Sequence, residues 1–200
     1  GYADLAAKVP AGAEWMIADF VDSEPIQDDA WHILQDYLDD FLADPAAVAA
    51  GEPQAVADLF EGLTLSGFAM QAAKSSRPAS CCDHLFSHIL DMVGHRYEGK
   101  LQSHGFQVAI GTLTMCAVFD ELFKLDLTGV DVDACVEAWP TLDQEQERAL
   151  EVFRNFPAPT LGHEMISQKY GDKDAVRTEL TRLKAEWPQL TERLQGQGYT

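Results

Sequence analysis

From Asp28 onward, apolar residues return every three or four positions and almost never every second one. That period commits the chain to helices, because side chains three and four apart share one helical face. Residues Asp28–Leu42 place Ile33, Tyr37, Leu38, Phe41 and Leu42 on one side and Asp36, Asp39 and Asp40 on the other; Pro45 ends the run. The chain restarts after Gly51-Glu52-Pro53, and Gln54–Ala73 carries an apolar stripe in which Gly67 leaves room for another backbone. After the break at Ser75–Pro78 a helix is predicted over Ala79–Val93, then a polar loop over Gly94–Ser103. Gly105–Leu125 is apolar nearly all round, the mark of a central helix. Shorter helices are predicted over 131–138, 143–155 and 159–169. A last one runs from Gly171 to Leu194, where Pro188 should kink or split it. The expectation is one all-α helical domain over residues 1–195 with a loose tail at 196–200.

With 46% apolar residues the 200-residue chain can bury a core. Lys and Arg number 14 against 33 Asp and Glu, giving a net charge of −19. That sign argues against nucleic acid or an anionic membrane as partner, since both need a basic footprint. No apolar run reaches membrane-spanning length and no basic n-region with an apolar h-region opens the chain, so a cytoplasmic protein is expected. Cys81, Cys82, Cys116 and Cys135 form no C-x-x-C pair, which excludes a zinc ribbon and points to reduced thiols, with Cys116 in the core. There is no G-x-G-x-x-G, no G-x-x-x-x-G-K-[S/T] and no βαβ alternation, so no nucleotide-binding residue is assigned.

His84 and His88 stand four apart, one helical turn on one face, and His104 opens the apolar helix next to Gly105, which permits close backbone approach. A metal ion needs at least three convergent donors. By spacing alone a pair of ordinary helix-surface or core histidines is the favoured reading over a metal site.

The surrounding string decides more. Ser76-Arg77-Pro78-Ala79-Ser80 leads into Asp83-His84 and Ser87-His88-Ile89-Leu90-Asp91, and then into His104-Gly105-Phe106-Gln107-Val108-Ala109-Ile110-Gly111-Thr112-Leu113. This order resembles the sn-glycerol-1-phosphate dehydrogenase family, within the iron-containing alcohol dehydrogenase and glycerol dehydrogenase superfamily. Gly1-Tyr2-Ala3-Asp4-Leu5-Ala6-Ala7-Lys8 is similar to that family's G-x-G-D-L-x-A-K segment. The likeness is strong from Leu59 to Leu113, loose elsewhere, and covers only the C-terminal half of a family member.

The resemblance implies a helical bundle of the dehydroquinate-synthase-like C-terminal type. It also implies metal ligands at Asp4, His84 and His104, suited to zinc and also to iron or nickel. His88 would face the substrate and relay a proton, with Asp4 and His104 also against the substrate. The implied reaction interconverts dihydroxyacetone phosphate and glycerol 1-phosphate, with NAD(P) held mainly by an N-terminal domain that this chain lacks. A homo-oligomer is expected, because the face left by that domain should be exposed and apolar. Glycerol dehydrogenase, another polyol dehydrogenase and a non-catalytic helical module are the alternatives. The chain departs from the family pattern at Ala3, at Cys81-Cys82, at Asp83 in place of Glu, and at Phe106 in place of an acid. Cys82 is an alternative ligand, although both thiols read as small packing residues. Arg77 and Lys74 are candidate phosphate partners; His32, His95 and His163 read as ordinary surface histidines.

Overall fold

A computed structural model describes residues 1–154 and 171–199. The helix expected over 159–169, with His163, lies outside the described residues. The described chain is all-α: α1 (Tyr2–Ala6), α2 (Lys8–Phe20), α3 (Asp28–Leu34), α4 (Leu38–Leu42), α5 (Pro45–Ala50), α6 (Pro53–Ala73), α7 (Cys82–Met92), α8 (His104–Leu122), α9 (Val132–Ala138), α10 (Leu142–Phe153) and α11 (Lys173–Gly196). Among the described residues the only strands are Arg96–Tyr97 and Lys100–Leu101, an antiparallel pair turned at Gly99 inside the stretch read as a loop. No described helix is long and apolar enough to cross a membrane.

The packing divides the chain into two compact units, where one domain was expected. One unit is Gly1–Leu125 with the chain from Leu190 on; the other is Asp126–Gln189. In the second unit Asp131 caps α9 through Ala134 N–H (3.0 Å), and Thr141 and Gln144 close a reciprocal capping box on α10. Lys184 Nζ donates to Val130 O at 2.6 Å and Arg177 pairs with Asp133.

The first unit is built around α1, a helix that periodicity did not show. Its Leu5 is fully buried with Leu34, Leu38 and Ala69, under Phe41 and Leu63. Burying a leucine contributes about 2 kcal/mol, so this cluster alone outweighs fraying at a chain end. The predicted Asp28–Leu42 helix is broken by a 3-10 turn at Gln35–Tyr37, which leaves Tyr37 exposed while Leu34 and Leu38 stay inside. Gln35 ties that turn down: its Nε2 donates to Lys8 O (3.0 Å) and its Oε1 accepts from Tyr199 Oη (3.2 Å). Tyr199, within the stretch expected to be a loose tail, is therefore held, while residues 195–198 are exposed. α11 also continues unbroken through Pro188.

The expectation of a fully central α8 needs correction. Val108 and Gly111 are buried, but Phe106, Ile110 and Leu113 are exposed, as are Leu85 and Ile89 on α7. α8 packs on α7 and α1 and more lightly on α2, which leaves those side chains uncovered.

Glycine decides how closely these helices approach, at positions other than those expected. A Cβ at Gly105 would meet nothing nearer than Gly1 N at 3.9 Å, and one at Gly67 would meet nothing within 4 Å. A Cβ at Gly111 would lie 2.1 Å from the backbone oxygen of Asp83 on α7. Gly111→Ala is therefore expected to destabilise the chain by about 2 kcal/mol or more, because a backbone must move. Gly67→Ala should be neutral or stabilising by up to about 1 kcal/mol. Urea unfolding of the two variants checks this; equal effects would show that the α7–α8 contact is not tight.

Candidate metal centre

Three helices far apart in sequence each deliver one polar group to the same place. Asp4 comes from α1, His84 from the first turn of α7, and His104 from the first position of α8. The ligand atoms of the three lie within 4.8 Å of one another. Asp4 Oδ1 is 3.2 Å from His84 Nε2 and 3.8 Å from His104 Nε2. Two donors about 2.0–2.1 Å from one tetrahedral ion stand roughly 3.3 Å apart, and the observed separations bracket that value. The imidazole centroids are 5.3 Å apart and tilted by 59°, so the rings converge without stacking.

Each imidazole is held from behind, at its other nitrogen. His84 Nδ1 makes a short hydrogen bond to Asp83 Oδ2, and Asp83 is fully buried. A carboxylate can only accept, so Nδ1 carries a proton and Nε2 is turned toward Asp4. His104 Nδ1 lies 3.0 Å from Ser87 Oγ, which again leaves Nε2 toward Asp4. His104 keeps 53% of its side chain exposed, so the cluster opens to solvent on that side.

Backbone N–H groups at the start of α7 meet two of the acids around the site, although among the described residues Glu14 Oε1 stays buried without a hydrogen bond. Asp83 also accepts from Cys81 N–H (3.2 Å), and Glu14 of α2 accepts from Cys82 N–H (3.1 Å). Both carboxylates thus sit on otherwise open N–H groups at the start of α7. Lys8 is 2% exposed and places Nζ 3.1 Å from Asp4 Oδ1. Burial lowers the Lys8 pKa below the ordinary ammonium value, and Asp4 draws it partly back.

His88 is exposed one turn beyond His84, outside the three-residue cluster, and among the described residues no hydrogen bond or ion pair engages it. Arg77 is committed internally: Nη1 faces Cys81 Sγ (3.0 Å), Nη2 donates to Glu14 O (3.2 Å) and Nε lies 3.1 Å from Glu24 Oε2. It is a strut between α2 and α7 more than a free phosphate partner. Lys74 ends α6 in the left-handed conformation. Burial pushes the Cys81 and Cys82 thiols up to about 12 and about 11, so neither is a thiolate near neutrality. Cys116 is exposed, contrary to its reading as core.

Sequence reasoning missed Asp83, Ser87, Gln107 and Lys8 as parts of the site. A spacing signal was present for three of them: Ser87 follows His84 by three, Gln107 follows His104 by three, and Lys8 follows Asp4 by four.

Comparison with known proteins adds an independent line. Over 125 residues the chain is 33% identical to a glycerol-1-phosphate dehydrogenase [NAD(P)+] of Korarchaeum cryptofilum, covering 62% of this chain and 40% of that protein. Over 121 residues it is 35% identical to the enzyme of that name from Staphylothermus marinus, covering 60% and 33%. A Bacillus licheniformis protein of the same name is 29% identical over 127 residues, covering 64% and 32%. The chain is thus similar, over about three fifths of its length, to proteins named glycerol-1-phosphate dehydrogenase. The match spans 32% to 40% of these dehydrogenases' own length. No family model and no solved structure matches the chain.

The metal-free cluster has a defined pH response. The hydrogen bond from His84 lowers the Asp4 pKa most, burial opposes it, and Lys8 lowers it further, so it falls well below its ordinary 3.8. Burial disfavours the charged His84, but hydrogen bonds to Asp4 and Asp83 outweigh it and raise its pKa above the ordinary 6.5. Asp4 therefore contributes stability above pH 3.8 that is lost as the pH falls toward its depressed value. His84 contributes stability below pH 6.5 that is lost as the pH rises through its raised value. Metal-free protein should gain most from this pair between these limits. Denaturant unfolding across pH, compared with Asp4→Asn, checks it: the variant should lose most inside that window, converge on the native chain as the pH falls below it, and keep a smaller deficit above it, where Asp4 still pairs with Lys8.

Proposed function

We propose that this chain is the metal-binding part of an NAD(P)-dependent dehydrogenase that interconverts dihydroxyacetone phosphate and glycerol 1-phosphate. The observation that carries the reading is the meeting of Asp4, His84 and His104 from three separate helices, with both Nε2 atoms toward one carboxylate oxygen. Kinship with enzymes of that name supports the substrate and the nucleotide.

Asp4, His84 and His104 would hold a dication, zinc or alternatively iron or nickel, since one carboxylate and two imidazoles suit all three. A dication there supplies a fixed positive charge that polarises a substrate oxygen and eases loss of a hydroxyl proton. His88, exposed beside the cluster, is assigned the proton: it takes the hydroxyl proton in oxidation and returns it in reduction. Asp83 and the buried start of α7 keep the His84 ring from turning. Lys8 balances the carboxylates behind the cluster and keeps Asp4 facing the two imidazoles. Asp4 and His104 also border the space for substrate, and the exposed edge of His104 marks its entry. The hydride carrier is assigned to a separate nucleotide-binding domain, since this chain has no motif for it. A cytoplasmic setting and a homo-oligomer belong to the same reading; the exposed Phe106, Ile110 and Leu113 support self-association.

Calorimetric titration with Zn²⁺, together with metal analysis of the purified chain, tests the site. One Zn²⁺ per chain is expected, and Asp4→Asn or His84→Ala should weaken binding by on the order of 100-fold or more. Absence of stoichiometric binding would leave a non-catalytic helical module as the better reading.

A further inference from the structure

Ser87 and Gln107 are buried polar residues that holding a metal does not require. Ser87 is fully buried and Gln107 is 2% exposed. Polar groups removed from water to this degree cost free energy unless they are hydrogen-bonded. Here they are bonded in series. Gln107 Nε2 donates to Asp91 Oδ1 at 2.7 Å, Ser87 Oγ donates to Gln107 Oε1 at 2.8 Å, and His104 Nδ1 lies 3.0 Å from Ser87 Oγ.

The series has a direction, and its start fixes it. Asp91 is a carboxylate and accepts, so the Gln107 amide must turn its NH₂ toward Asp91 and its oxygen toward Ser87. A flipped amide would set two acceptors 2.7 Å apart. A serine hydroxyl has one hydrogen, and Gln107 takes it. Toward His104 the Ser87 oxygen can then only accept, so the neutral ring must carry its proton on Nδ1. A lone serine would impose no such choice, because its hydroxyl could rotate to serve either tautomer.

We propose that Asp91, Gln107 and Ser87 are positioning residues that lock His104 as the Nδ1–H tautomer, with the Nε2 lone pair facing Asp4 and His84. This inference rests on the reading of His104 as a metal ligand. It assigns the two successive turns of α7 after His84, and the first turn of α8, to one task. Residues 84, 87 and 91 share one helical face, as do 104, 107 and 111, and α7 and α8 pack directly on each other.

The test begins without metal. Long-range ¹H–¹⁵N correlation spectra of histidine-labelled chain, at about pH 8 where imidazoles are ordinarily neutral, should show His104 as Nδ1–H. Ser87→Ala should shift it toward Nε2–H, and Ser87→Thr, which keeps a hydroxyl, should restore it. Asp91→Asn alters only the exposed end, so folding is spared; it should give mixed tautomers by freeing the amide to flip. In Zn²⁺ titrations Ser87→Ala should bind about 10–100-fold more weakly, with Ser87→Thr near the native chain. An Nε2–H tautomer in the native chain, or unchanged tautomer and affinity in Ser87→Ala, overturns the lock and leaves the metal reading standing. A native chain that shows the locked tautomer, released in Ser87→Ala, but binds no Zn²⁺ overturns the metal reading and supports the lock.

Discussion

Asp83 is a carboxylate with no exposed surface, and a charge removed from water must be compensated where it sits. Its two oxygens meet the Cys81 N–H and the His84 Nδ1–H, so the acid is satisfied only if α7 starts where it does and His84 is turned one way. The backbone of the same residue touches α8 at Gly111, where even a methyl group would collide. Helix spacing, helix start and ring orientation are thus fixed at a single residue. The order of the candidate metal centre follows from that constraint more than from any strength of its own.

The two histidines reach the same end by different means. His84 is oriented by an ionised acid one residue away, inside the fold. His104, half exposed, is held through a neutral serine and an amide that refer to a carboxylate at the surface. In a low-dielectric interior a charged partner is effective over one bond, whereas at the rim a chain of neutral dipoles achieves orientation without burying a second charge. Lys8 completes the balance by placing a buried cation against Asp4. A chain of net charge −19 thus keeps its site acids paired and sends most of its other acids to the surface.

Legibility differed by element. α6, α7, α9 and α10 follow the three-and-four period because each has one face packed and one in water. α1 escaped because five residues are too few to show a period, and α2 because Pro10-Ala11-Gly12-Ala13 fill its first half, where small residues are buried without a contrast of large apolar against polar. The Asp28–Leu42 run read as one helix because the 3-10 turn at Gln35 is imposed by Lys8 and Tyr199, both remote in sequence. α8 read as central because periodicity reports apolarity, not whether a partner is present to cover it.

The sequence by itself determined the helical class, the acidic surface and, through a motif order shared with a known family, the three residues Asp4, His84 and His104 as a candidate set. Those follow from local side-chain chemistry and spacing, which a linear string preserves. Only the tertiary structure decided that the three groups meet, that Gly111 and not Gly105 sets the helix approach, and that Asp83 and Ser87 stand behind the rings. Each of these depends on contacts between residues tens of positions apart, and such distances are set by how the helices pack and not by the order of residues along any one of them.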